Sequence, residues 1–152
     1  MQRQEFAREG RQNQLYDNGS RLVAGCVPID KQGRRVLLVA STRHDGEWVL
    51  PKGGWENDET IEEAAARETW EEAGVIGRIV THLGEFEHKI DKRTGAPESV
   101  FTFFEMEVEK VEERWPEMKK RERRWFSFEE AKAVVSKKVM RKALDQCSLA
   151  RR

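Results

Sequence analysis

The chain has 152 residues, enough for one domain with a substantial core. Its 28 Lys and Arg balance its 28 Asp and Glu, so no global field draws it to nucleic acid or membrane, and any attraction for an anion must arise locally. No apolar run approaches the roughly 18 residues a membrane helix needs, and the polar start MQRQEFAREGRQNQ lacks the apolar segment of a secretory signal.

Cys26 and Cys147 lie far apart in ordinary apolar contexts, as two structural thiols of a reduced protein would. The expected location is the cytoplasm, with access to the nucleus.

In chain order, residues 1–18 form a polar arm, expected to be extended or partly mobile, and residues 19–149 a single domain. Arg21 to Pro28 reads as a buried strand, with Gly25 allowing close backbone approach. Asp30 to Gly33 is a hairpin-type turn into a second strand, Val36 to Ala40. A polar loop from Ser41 to Gly46 precedes the short strand Trp48 to Leu50.

Beyond residue 75, Ile76 to Glu87 predicts a strand region broken near Gly84, and His88 to Ser99 a basic loop. Val100 to Val108 alternates as a long strand does. Glu109 to Arg121 is irregular, with a turn at Pro116. Arg123 to Phe128 is a last strand, Ser127 caps a short helix with Glu130, and Lys137 to Leu149 is helical. Strands interleaved with two or three helices predict an α/β fold with a mixed β-sheet between helices.

The informative stretch is Gly53 to Val75, GGWENDETIEEAAARETWEEAGV. Thr60 and Glu63 make a capping box, and Gly74 stands where a helix takes a left-handed terminator. On that helix Glu68, Glu71 and Glu72 fall within about 100° of one another, while Ala66, Thr69, Trp70 and Ala73 share a face that can pack inward. Three carboxylates on one turn repel each other. A divalent cation with a preference for oxygen, Mg²⁺ or Mn²⁺, reverses the sign of that interaction. A solvated acidic face is the alternative.

Gly53, Glu59, Arg67-Glu68, Glu71-Glu72 and Gly74-Val75 are spaced as in the Nudix box, and the chain resembles the Nudix hydrolases at each of these positions. It departs at Thr69, where the family usually carries an aliphatic residue facing the interior. The resemblance implies an α/β/α sandwich and metal-dependent hydrolysis of a diphosphate. It implies Glu68 and Glu72 as metal ligands, with a backbone carbonyl of Lys52 or Gly53 as a third. Glu71 is implied as general base, and Arg67 orients the acids, with Glu59 pairing to it. An Arg67–Glu59 pair that is purely structural stands beside that reading.

The flanks, among them VLLVASTRHDGEWVLPKGG and RRWFSFEEA, resemble the diphosphoinositol polyphosphate phosphohydrolases, the fungal-type members in particular, from about Tyr16 to Leu144. These remove the β-phosphate of inositol pyrophosphates and cleave diadenosine penta- and hexaphosphates, and some act on inorganic polyphosphate. Ser20, Arg21, Ser41, Thr42, Arg43 and Arg121 match phosphate-contacting segments of that family, although its basic run near Arg21 is thinned to one arginine. Lys52, Lys89, Lys92, Arg93 and Lys138 complete the candidate cations, each of which can equally be a solvated surface residue. The length of the 88–99 loop departs from the family's.

The expected partner is a small polyphosphate, with no membrane, no nucleic acid except a cap-like substrate, and a monomeric enzyme. A dedicated diadenosine-polyphosphate or mRNA-cap hydrolase, with Trp55 stacking on a base, and a catalytically silent phosphate-binding module are the competing readings. An aromatic clamp supports the dinucleotide reading; a ring of Arg and Lys without one supports the inositol reading.

Overall fold

Strand β2 (Ser20–Asp30) is the axis of the molecule in the computed structural model, which describes residues 4–150. The strand before it is β1 (Tyr16–Asp17), and those after it are β3 (Arg35–Ala40), β4 (Trp48–Val49) and β5 (Lys52–Gly54). Helix α1 (Ile61–Ala73) follows, then β6 (Val75–Ile90), β7 (Pro97–Val111) and β8 (Arg123–Ser127). Helices α2 (Phe128–Val134) and α3 (Lys138–Gln146) and a 3-10 turn (Ser148–Ala150) complete the described chain.

The described strands make one eight-stranded sheet whose main path runs β4-β3-β2-β7-β6, with β1 and β5 also on β2 and β8 on β3. Only the β2–β7 pair is parallel, so the sheet is mixed. The Cys26 thiol donates to the Ala65 carbonyl at 3.6 Å, which puts α1 on one face. Cys26 registers with Phe104 in the parallel pair, and the next pair, Val27 and Glu105, faces the other way. There Glu105 accepts from the Ser148 amide and hydroxyl, both at 2.7 Å. Helical segments therefore cover both faces, as the α/β/α expectation requires.

Several expectations change in detail. The sheet continues straight through Gly84; the expected break is a set of register shifts, the last between His82 and Gly84, where Gly84 takes φ 135°. The basic segment 88–99 is not a loop over its length, because β6 extends to Ile90 and β7 begins at Pro97, leaving 91–96 as the connection. Strand β7 does not alternate in burial: Phe101 to Met106 are all buried, because both faces of its central part are covered. The C-terminal helix stops at Gln146 and tightens into the 3-10 turn.

The described part of the arm is not a loose extension; residues before 4 lie outside the described chain. Gln14 bridges to Glu56, the Leu15 amide donates to Trp55 O at 2.8 Å, and the Asn57 amide donates to Asn13 O at 2.9 Å. Both cysteines are free and buried, and burial pushes the Cys26 thiol up to about 12, which makes it inert.

The capping box on α1 is formed as the sequence predicts: Glu63 N–H donates to Thr60 Oγ1 at 3.1 Å and Thr60 N–H to Glu63 Oε1 at 2.8 Å. Thr60→Ala should lower the unfolding free energy by about 1 kcal/mol, measured by urea denaturation. A change near zero would mean that tertiary packing alone fixes the start of α1.

Candidate active site

Helix α1 presents its acids to the protein and not to water. Glu68, Glu71 and Glu72 are only 8%, 2% and 6% exposed, which rules out the solvated-face alternative. Thr69 is fully buried and satisfies its hydroxyl within the helix, donating to Ala65 O at 2.8 Å. Its departure from an aliphatic residue thus leaves no unsatisfied polar group.

One guanidinium organises the acids. Arg67 donates to Glu59 through Nε at 2.9 Å and Nη2 at 2.6 Å, and through Nη1 to Glu68 Oε2 at 3.0 Å and Glu71 Oε2 at 3.1 Å. Its Nη2 also donates to the Gly54 carbonyl at 3.0 Å, tying the helix to the loop before it. Burial opposes the charge on Arg67, yet Glu59, Glu68 and Glu71 outweigh it and raise its pKa. Arg67 is held charged, and Glu59 belongs to its clamp.

Glu72 is held by other donors. Its Oε1 accepts from the Lys52 amide at 3.2 Å and lies 3.6 Å from Arg121 Nη1. The end of α1 that carries it is anchored by two residues the sequence reading did not single out. Trp115 Nε1 donates to Glu72 O at 3.1 Å, and Arg123 donates to Ala73 O at 2.8 Å while stacking 3.8 Å above the Trp115 ring. A cation at a helix C-terminus also suits the helix dipole. The KKRERRW run contains Arg123, but nothing in its spacing sets it apart from its neighbours.

Burial and the charge of Glu72 push Glu68 up to about 8, against the pull of Arg67. Burial pushes Glu72 up to about 7, against Lys52 and Arg121. Glu71 is raised chiefly by burial, against Arg67 and the arm. The pair Glu68–Glu72 is therefore charge-frustrated, a state that a divalent cation relieves.

Gly53 supports the same reading, since a Cβ there would land on the Glu68 carboxylate. Among the described residues no three His, Cys, Asp or Glu side chains form a preassembled cage. Mg²⁺ does not need one, because it binds through one or two carboxylates and retains waters and substrate phosphates as its other ligands. The donor set fits a divalent ion.

Beside the acids lies a cleft of about 360 Å³, reached through Lys52 and Arg121. Its lining holds seven Arg and Lys side chains against two glutamates, Glu47 and Glu98, so the neutral chain has concentrated its positive charge here. Burial lowers Lys137, helped by the charges of Lys52, Lys89 and Arg43, and His88 is lowered by burial, Lys137 and Lys89.

Of the expected cations, Arg21, Arg43, Lys52, Lys89 and Arg121 line the cleft, with Ser41 and Thr42. Ser20 does not; it is buried and its hydroxyl donates to Pro97 O. Arg93 and Lys92 are on the exposed 91–96 connection, with the Arg93 side chain 89% exposed, because the strands extend further than expected. Lys138 opens α3 and is outside the lining; its neighbour Lys137, the N-cap residue, takes the place. Arg11, Tyr16, His44 and His88 also line the cleft and were not singled out from sequence. Strand alternation on β6 is the one signal that could have marked His88.

Trp55 turns its indole N–H to Glu59 O at 2.9 Å, and Trp48 packs edge-on against Phe126 with centroids 5.0 Å apart. Neither lines the cleft.

The molecule is thus a small α/β/α sandwich in which a glycine-preceded helix carries an Arg-clamped acid cluster. The NUDIX domain model matches residues 19–147, and this chain belongs to the Nudix hydrolase family. It is 41% identical over 150 residues to Nudix hydrolase 4 of Arabidopsis thaliana, covering 91% of this chain and 71% of that protein. It is 36% identical over 128 residues to the human diphosphoinositol polyphosphate phosphohydrolase NUDT4B, covering 82% of this chain and 68% of that one. Among solved structures, a MutT NUDIX hydrolase from Burkholderia pseudomallei superposes with a TM-score of 0.65 at 27% identity, over 85% of this chain and 98% of that one. Hydrolases of this family generally use divalent metal ions, and no described helix is long and apolar enough to cross a membrane.

A raised carboxylate pKa stabilises the fold fully below the unfolded value near 4.5, and that stability is lost as pH rises through about 8 for Glu68. Without divalent metal, Glu68→Gln should therefore gain in Tm relative to wild type as pH rises from about 5 to about 8. Added Mg²⁺ should narrow the gap by stabilising the wild type. A pH-independent difference would contradict the frustrated-pair description.

Proposed function

We propose that this enzyme removes the β-phosphate of inositol pyrophosphates, and that it also cleaves diadenosine penta- and hexaphosphates and inorganic polyphosphate, with Mg²⁺ or Mn²⁺. The observation that carries the reading is the cleft: seven cations against two acids, with neither Trp48 nor Trp55 in its walls. A heavily phosphorylated ring needs cationic donors on many sides, and Arg and Lys supply them. The human relative, a diphosphoinositol polyphosphate phosphohydrolase, points to the same substrate class.

Glu68, Glu72 and a carbonyl of Lys52 or Gly53 would hold the divalent ion, which when bound neutralises phosphate charge and activates water. The chain's own contribution is position. Arg21, Arg43, Lys89 and Lys137 bind the non-reacting phosphates, and Lys52 and Arg121 stand between them and the acids. Glu71, whose pKa burial raises, is the candidate to accept the proton of the attacking water as the bond from phosphorus to the bridging oxygen breaks.

A dinucleotide preference has one observation in its favour: Tyr16 lines the cleft, is 51% exposed, and registers across the strand pair with Arg21. The other rings in the lining are His44, His88 and Phe101, of which Phe101 is buried.

The test is phosphate release from a 5-diphosphoinositol pentakisphosphate, beside diadenosine hexaphosphate and a methylated cap dinucleotide, with and without Mg²⁺. Metal-dependent preference for the inositol substrate is the expected result. Turnover of the adenosine or cap substrate alone would overturn the substrate assignment. Glu72→Gln should lower kcat by about 10²-fold or more with the fold intact, and Lys137→Ala should act mainly by raising KM.

A further inference from the structure

The segment before the family-matched region reaches the acid cluster at Glu71. Gln4 Nε2 donates to Glu71 Oε2 at 2.6 Å, and the Arg8 amide donates to the same oxygen at 3.2 Å. Together with Arg67 Nη1, three donors converge on one carboxylate oxygen. The segment is pinned at both ends of this contact. Gln4 O accepts from Trp70 Nε1 at 2.9 Å, one residue along α1 from Glu71. The Arg8 guanidinium closes on Glu56 at 2.6 Å and Asp58 at 2.9 Å in the loop leading to α1. Burial of Glu56 makes the first of these more than a surface pair.

We propose that residues 4–8 are a strap that positions Glu71 for the hydrolytic step, with Gln4 and Arg8 as positioning residues acting through that carboxylate. The inference rests on Glu71 taking part in the reaction, as proposed above. Two physical points support it. A carboxylate with donors on one oxygen from a guanidinium, a side-chain amide and a backbone amide has its plane fixed, and fixed groups near a metal centre are what outer hydrogen-bond partners supply. The strap also stays out of the substrate cleft, whose lining begins in the chain at Arg11. Its effect should therefore appear in the chemical step and not in substrate binding.

The test uses the full chain and whichever phosphoanhydride the wild type hydrolyses, so failure of the inositol assignment leaves it intact. Gln4→Ala should lower kcat about tenfold, with KM changed by less than about twofold and thermal unfolding unchanged. Gln4→Glu, which replaces the donor with a like charge beside Glu71, should lower kcat further. Val80→Ala on β6 is the control, because its side chain is exposed and lies outside the strap, the acid cluster and the cleft lining; it should match wild type.

A readout without substrate tests the contact itself. The Arg8 amide should be protected from hydrogen exchange in wild type and lose that protection in Glu71→Ala. Wild-type kcat in both Gln4 variants, a kcat loss matched by a fall in Tm, or unchanged Arg8 protection in Glu71→Ala would each overturn the strap.

Discussion

The burial of more negative charge than positive on one face of α1 is the constraint from which the rest of the site follows. Three carboxylates are brought out of water, and Arg67 answers Glu68 and Glu71 while also serving Glu59. An unpaired buried carboxylate is costly in a low dielectric. The protein meets that cost by raising the pKa of Glu68 and Glu72 and by surrounding the cluster with fixed donors: the Lys52 amide, Arg121 and the strap. What remains is a place whose electrostatics favour an added divalent cation, directly behind a cleft whose electrostatics favour a polyanion. The two fields are complementary, and a net neutral chain achieves them by segregating its charges.

The packing around this face explains why the box has its glycines. Gly53 leaves room for the Glu68 carboxylate, and Gly54 for the side chain of Gln14, so β5 can lie against both the helix and the arm. Gly25 on β2 likewise lets the Pro51–Lys52 backbone approach. The sheet, the box and the arm thus meet where β2 pairs with β5.

Local signals in the sequence carried most of the fold and the placement of the acid cluster. The capping box, Gly74 and the spacing of Glu59, Arg67, Glu68 and Glu72 depend on residues near one another in the chain, and they appear in the structure where the pattern puts them. The far cations were less legible because their placement depends on strand ends. Extending β6 to Ile90 and starting β7 at Pro97 moves Arg93 away from the cleft while keeping Lys89 in it. A one-residue difference at the start of α3 exchanges Lys138 for Lys137. The arm was the least legible of all. Polar composition reads as mobility, and nothing local in MQRQEFAREG shows that Gln4 and Arg8 find their partners more than 45 residues away.

The most direct test of the central claim is calorimetric titration of Mn²⁺ into the full chain at pH 7 in buffers of different ionisation enthalpy. Because burial raises the pKa of both Glu68 and Glu72, metal binding should release protons, and Glu68→Gln should abolish most of that release. Binding without proton release, or equal release from the variant, would contradict the account of α1 as a charge-frustrated face built to accept a divalent cation.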